Sequence, residues 1–248
     1  MEWSDTAIVL SARPHGESGS ILEALTKSHG RHLGLVRGGG SRRSKPILQP
    51  GNGVRLNWRA RLSEHLGNYS TELDQSRAGE LMEHRTALIG LNALTSVAGA
   101  ALPEREPHEA VFVAANILLD AMMEDGLGHW GPLYIRWEVG LLEGLGFGLD
   151  LTQCAATGAV DDLRYVSPRS GRAVSGGAGA PYARKLFALP AFLLASQNSD
   201  VNTADIVAGL ALTGHFLLER VLRPQGKALP SARLRLDALA AHEDSESR

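Results

Sequence analysis

Pro50-Gly51-Asn52-Gly53-Val54-Arg55-Leu56-Asn57-Trp58-Arg59 is a turn followed by a strict alternation of apolar and polar side chains. Alternation at period two marks a strand with one face on a core. Val54, Leu56 and Trp58 then belong to the inner face. Arg55, Arg59 and Arg61 share the other parity and face solvent.

Outward from this strand, short apolar, β-branched runs recur between turn signals. Thr6–Ala12 ends at Arg13-Pro14-His15-Gly16, and Ile21–Thr26 ends near His29-Gly30. His32–Arg37 runs into Gly38-Gly39-Gly40, and Leu66–Leu73 supplies a fifth run. Five short strands within residues 1–75 suggest a small barrel, with the OB-fold as first choice.

The pattern changes at Ser76. Leu81, Leu88 and Leu91 follow helical spacing up to about Gly99, and Pro107 is placed to open a second helix through Val111, Ala115, Leu118 and Met122. Pro132 is expected to open a third, with Leu133, Trp137, Leu141 and Leu145 on one side. Residues 150–181 lose periodicity and read as an irregular insert rich in Gly, Ser, Asp and Pro. Helical spacing returns over Tyr182–Ser196 and Thr203–Arg223, with a short last helix around Leu234, Leu236 and Leu239. The polar residues 242–248 are expected to be disordered. The expected architecture is α+β and multidomain: a five-stranded OB barrel over 1–75, a helical domain over 76–241 and a tail over 242–248.

Charge is unevenly distributed. The 248 residues carry a formal net charge of −2, yet residues 1–75 hold ten Lys+Arg against seven acids, a net of +3. Lys27, Arg31, Arg37, Arg42, Arg43, Lys45, Arg55, Arg59 and Arg61 fall in one stretch that contains no Asp or Glu. Its centre, Arg37-Gly38-Gly39-Gly40-Ser41-Arg42-Arg43-Ser44-Lys45, reads as a flexible basic loop. These nine cations are the candidate contacts to a nucleic-acid backbone, where Lys and Arg supply most sequence-independent affinity. Trp58 and Tyr69 are the only aromatics between residues 27 and 75, and Trp58 sits at a core parity. Binding is therefore expected to be electrostatic and steeply salt-dependent, with little base stacking.

Other classes find less support. Thr26-Lys27-Ser28 lacks the glycines of a phosphate loop, Gly144–Gly148 lacks dinucleotide-site spacing, and neither HExxH nor GxSxG occurs. No catalytic site and no cofactor is expected. Met1–Asp5 does not read as a signal peptide, and no apolar run reaches the roughly 18–20 residues a membrane helix needs. The single cysteine, Cys154, fits a reducing compartment. These features point to a cytoplasmic, nucleoid-associated protein rather than a membrane-surface one. The alternative is an OB-containing interaction module whose basic face meets an acidic peptide of a protein partner.

Two blocks of sequence carry a resemblance to a known family. The first is Ala7-Ile8-Val9-Leu10, Pro14-His15-Gly16-Glu17-Ser18 and Leu25-Thr26-Lys27-Ser28-His29-Gly30, followed by the basic loop and Leu48-Gln49-Pro50. The second is Tyr165-Val166-Ser167-Pro168-Arg169-Ser170-Gly171-Arg172-Ala173-Val174, then Pro181-Tyr182 and Leu189-Pro190-Ala191-Phe192-Leu193. In this order they resemble the RecO family of bacterial recombination mediators. The resemblance implies an OB-fold followed by a helical domain, and binding and annealing of single- and double-stranded DNA. It also implies action with RecR, the single-strand-binding protein SSB through its acidic tail, and RecF in some settings, to load RecA. Some members carry a zinc site of two Cys-x-x-Cys pairs. Here Cys154 is followed by Thr157 at the paired position and no second pair exists, so no zinc is expected. Tyr165 and Tyr182 are then the expected anchors of the insert.

Overall fold

The computed structural model describes residues 1–194 and 200–247. The chain divides into two compact units, Met1–Glu124 and Asp125–Arg248.

The first unit begins with five strands: β1 (Glu2–His15), β2 (Gly19–Thr26), β3 (Gly30–Val36), β4 (Gly53–Arg59) and β5 (Asn68–Gln75). They close into a barrel in the order β1-β2-β3-β5-β4. All neighbours are antiparallel except β3 and β5, which pair in parallel through Leu35–Asn68 and Val36–Tyr69. This is the five-stranded OB arrangement. β1 is longer than the expected Thr6–Ala12 run because it serves two neighbours. Residues 2–8 pair with β4 and residues 7–15 with β2, and the register shifts between Val9 and Ser11. A bulge there bends the strand around the barrel.

The alternation of β4 is realised as expected. Val54, Leu56 and Trp58 are buried in the barrel core with Ala7, Val9, Leu22 and Tyr69, while Arg55, Asn57 and Arg59 are exposed. Two glycines make room for the large rings. A Cβ on Gly34 would lie 2.3 Å from the Tyr69 ring, and one on Gly67 would lie 2.3 Å from the Trp58 Nε1. That Nε1 donates to the Leu66 carbonyl at 2.9 Å, so the indole is buried with its polar edge satisfied.

Three helices complete the unit: α1 (Ala78–Glu83), α2 (Arg85–Ala101) and α3 (Glu109–Glu124). Arg77, fully buried at the start of α1, donates to Asp120 at 2.7 Å and Asn116 at 3.1 Å on α3. The Asn52 carboxamide oxygen accepts the backbone N–H groups of Arg77 and Ala78 at 3.0 and 2.9 Å. Those donors have no partner within their own helix. The barrel strands therefore end at Gln75, but the compact unit continues to Glu124.

The second unit opens with α4 (Leu127–Gly144). Pro132 lies inside this helix, not at its first position as expected. Its missing N–H falls close to the helix start, so a single bond is forgone, to the Gly128 carbonyl. The insert is more ordered than its composition suggests. β6 (Leu163–Val166) pairs antiparallel with both β7 (Ala173–Ser175) and β8 (Phe187–Ala188), and α5 (Gly176–Gly179) follows β7. Tyr165 packs against Gly179, whereas Tyr182 is 61% exposed and is not the buried anchor expected of it.

Tyr182–Ser196 does not form the expected helix. Ala180–Lys185 and Ala191–Leu193 are 3-10 turns on either side of β8, and Ala195 and Ser196 lie outside the described residues. α6 (Thr203–Phe216) starts with a capping box between Asn202 and Asp205 and continues as a π-helical segment, Leu217–Leu222. α7 (Ser231–Glu246) carries helix through most of the tail expected to be disordered. Buried in this unit, Arg233 pairs with Glu138 at 2.6 Å, and the Thr213 hydroxyl donates to the same carboxylate.

Candidate nucleic-acid interface

The nine basic residues do not act as one surface. Arg31 is structural: its side chain is 17% exposed, pairs with Glu23 at 2.6 Å and donates to the Leu102 carbonyl at 2.8 Å. It braces β2 and β3 against the end of α2. Lys27 meets Glu109 at 3.3 Å in an exposed pair. Arg55 meets Asp74 at 3.1 Å and faces Glu72 across the strands, so its charge is balanced locally. Arg55 therefore adds less free positive charge to the solvent face of β4 than the acid-free stretch suggests. The acids that cancel it lie on β5, outside the acid-free stretch.

Six cations are left at the surface: Arg37, Arg42, Arg43, Lys45, Arg59 and Arg61 are exposed. Arg37 donates to the Asn68 carboxamide at 3.1 Å. The other five make no side-chain hydrogen bond or ion pair among the described residues.

Strand register relates one of these six, Arg59, to Arg13 and, through Asn68, to Arg37. Arg13 lies opposite Ile21, Ile21 opposite Leu35, Leu35 opposite Asn68, and Asn68 opposite Arg59. Residues in register share a face of the sheet. The result is one outward row across all five strands, with arginine at both ends and half-buried Ile21 and Leu35 between. Arg37, two residues past Leu35 on the same face, bridges to Asn68 in the middle of the row. Arg13 is absent from the sequence-based set because its strand is expected to end before it. Its neighbour Pro14 reads as a turn, yet the β1–β2 ladder continues to His15.

The glycine-rich loop is pinned rather than loose. Gly39 N–H donates to Val36 and Gly40 N–H to Ser18, at 3.2 and 3.0 Å. A Cβ on Gly39 would lie 2.7 Å from the Ser20 Cβ, so this glycine allows the loop to close against β2. Lys45 N–H donates to Ser41 and Leu48 N–H to Ser44 in successive turns, and Leu48 is buried in the barrel core. The loop thus projects Arg42, Arg43 and Lys45 from a fixed base.

Among the described residues, no group of three or more His, Cys, Asp and Glu side chains is placed to hold a metal. Cys154 Sγ accepts the Ser175 N–H at 3.2 Å. Hydrogen bonds from Ser175 and Thr157 hold this thiol down to about 6. One buried sulfur with a threonine at the paired position does not fit the zinc site of two Cys-x-x-Cys pairs. None of the described helices is long and apolar enough to cross a membrane.

Comparison with known proteins matches these features across nearly the whole chain. The family model for the recombination protein O N terminal matches residues 1–77, and that for the C terminal matches residues 82–229. The DNA repair protein RecO of Rhodospirillum rubrum is 50% identical over 238 residues, covering 95% of this chain and 94% of that protein. That of Cereibacter sphaeroides is 49% identical over 243 residues, covering 97% and 99%. That of Xanthobacter autotrophicus is 51% identical over 233 residues, covering 94% of each.

Proposed function

The chain belongs to the RecO family of DNA repair proteins, and from that premise we propose that it works by binding DNA, not by catalysis. The surface used is the row from Arg13 to Arg59 together with Arg37, Arg42, Arg43, Lys45 and Arg61. The observation that carries this reading is the set of exposed cations on the OB barrel, Arg42, Arg43, Lys45 and Arg61 above all, that form no ion pair among the described residues.

Neutralising phosphates releases condensed counterions and lowers the repulsion between two strands. A surface that holds backbones and leaves base edges free favours pairing of complementary strands. The role that follows is a recombination mediator of the cytoplasm and nucleoid. It binds single- and double-stranded DNA, anneals complementary strands, and helps load RecA on SSB-coated DNA with RecR and, in some settings, RecF. The acidic tail of SSB is the expected protein ligand.

The test is a salt titration of binding to oligonucleotides and to anionic lipid vesicles. Tight oligonucleotide binding at low salt, falling steeply as salt rises, is expected. Failure to bind oligonucleotide at low salt, or stronger retention on vesicles, overturns the proposal.

A further inference from the structure

A cavity of about 450 Å³ opens at the end of the barrel where β1 begins, a volume within the usual range for a small ligand. Trp3, His29, His32, Trp58, Ser63 and Arg105 are among its walls. Three of these rings form a stack. His29 lies on Trp3 at 4.0 Å with the planes 7° apart, and Trp3 lies on Trp58 at 5.6 Å and 20°. His32 meets both tryptophans edge-on.

Trp58 is buried, so the stack is anchored in the barrel core at that end. At the other end His29 stacks on no second ring among the described residues, and its side chain is 35% exposed. The imidazole is fixed in orientation: its Nδ1 lies 2.9 Å from the carboxylate of Asp5, which also accepts the Ser28 N–H at 2.7 Å. The wall opposite is equally fixed, because the Arg105 guanidinium donates to the Ser63 and His65 carbonyls of the β4–β5 loop.

The cavity is continuous with the basic row. Glu2 lies opposite Arg59 in the β1–β4 register and lines the cavity, and Ser63, two residues past Arg61, lines it too. A strand whose phosphates follow Arg37, Arg59 and Arg61 is therefore led to its mouth. Stacked rings, polar side chains largely engaged within the protein (His29 with Asp5, His32 with Tyr69, Arg105 with the Ser63 and His65 carbonyls) and an acid at the rim favour a neutral aromatic occupant over an acidic peptide.

We propose that this cavity takes one unstacked base of a bound DNA strand, which adds a fourth ring to the His29–Trp3–Trp58 stack. The proposal rests on the DNA-binding reading above and extends it to a base-capturing site that the basic loop alone does not supply. Stacking accepts any base, so the site adds affinity without sequence preference.

The test compares an oligodeoxythymidylate with a strand of equal length made of abasic residues, on the wild-type protein and on His29→Ala. Loss of the bases is expected to weaken wild-type binding roughly tenfold, the ordinary weight of one stacked base. His29→Ala is expected to weaken binding of the base-bearing strand by a similar factor and to leave the abasic strand unaffected, with the salt dependence unchanged in both. Equal wild-type affinity for the two strands overturns the proposal, as does a His29→Ala loss that is the same on both. Should His29→Ala not fold, the wild-type comparison decides alone. If the wild type binds neither strand at low salt, the DNA-binding reading has failed, whereas equal binding of both sinks only the cavity.

Discussion

Inside the barrel the Nδ1 of His32 lies 2.8 Å from the hydroxyl of Tyr69. His32 is buried, and burial followed by the positive charge of Arg105 brings its imidazole from 6.5 down to about 4. The folded protein thus keeps His32 neutral at a pH where the unfolded chain protonates it. The unfolded state then binds more protons, so stability rises with pH across this interval. The contribution is complete above about 6.5 and is lost progressively as pH falls toward about 4. The melting temperature is expected to drop over that window. His32→Gln should flatten this part of the profile, as followed by thermal melts at a series of pH values.

Charge reversal at Arg42 and Arg43 is expected to weaken binding to any DNA sequence. The slope of log affinity against log salt should fall by about 0.7 for each phosphate of a single strand that is no longer neutralised. Arg31→Ala is the contrasting case. It removes the brace to Glu23 and Leu102, so it should lower the melting temperature and leave the salt slope in place. Fluorescence anisotropy over a range of salt, with parallel melts, separates the two effects.

Gly34→Ala places a Cβ 2.3 Å from the Tyr69 ring, inside a strand flanked by β2 and β5. Overpacking of this kind costs about 1–3 kcal/mol. Denaturant unfolding should show that loss with the slope unchanged.

Arg233→Met is expected to destabilise the protein strongly, because it leaves Glu138 charged and unpaired in the interior of the second unit. Breaking one side of such a pair costs about 3–5 kcal/mol. The double variant Arg233→Met, Glu138→Leu should recover much of the loss. Denaturant unfolding of the single and double variants checks both.

Metal analysis of the purified protein is expected to return no stoichiometric zinc. The Cys154 sulfur already accepts the backbone of Ser175, and Thr157 offers no thiolate. One zinc per chain would contradict this.

The barrel was legible because its signal is local. Val54, Leu56 and Trp58 alternate with Arg55, Asn57 and Arg59, and β1 and β3 run into Gly16 and Gly38, turn signals that the sequence displays. The second unit was less so. β6, β7 and β8 are only four, three and two residues long, so they leave no periodic trace in a run full of Gly and Ser. Pro132 does not mark the start of α4 because it lies in the second turn, where the one bond it forgoes, to the Gly128 carbonyl, is outweighed by packing of the buried Trp130, Tyr134 and Trp137.

The candidate site was half legible. Residue type revealed the basic stretch, but not which cations are cancelled. Arg55 and Lys27 meet acids at Asp74 and Glu109, far enough along the chain that a count within the stretch misses them. His29 and His32 read in sequence as an exposed loop pair, whereas His32 is buried and His29 stacks on Trp3, an arrangement that exists only once β1 has paired with both β2 and β4.

Asn52 ties the loop to its surroundings from one buried side chain. It donates to the Pro46 and Ile47 carbonyls at 2.8 and 3.2 Å while accepting the first N–H groups of α1. Ordering a free segment costs roughly 1–2 kcal/mol per residue of backbone entropy. A loop already held at Gly40, Leu48 and Asn52 has met much of that cost during folding, so engaging phosphates takes away less conformational freedom. Association should then be fast and carry a small entropic penalty, and loosening Asn52 would show up first in the thermodynamics of DNA binding, ahead of any change in which residues touch it.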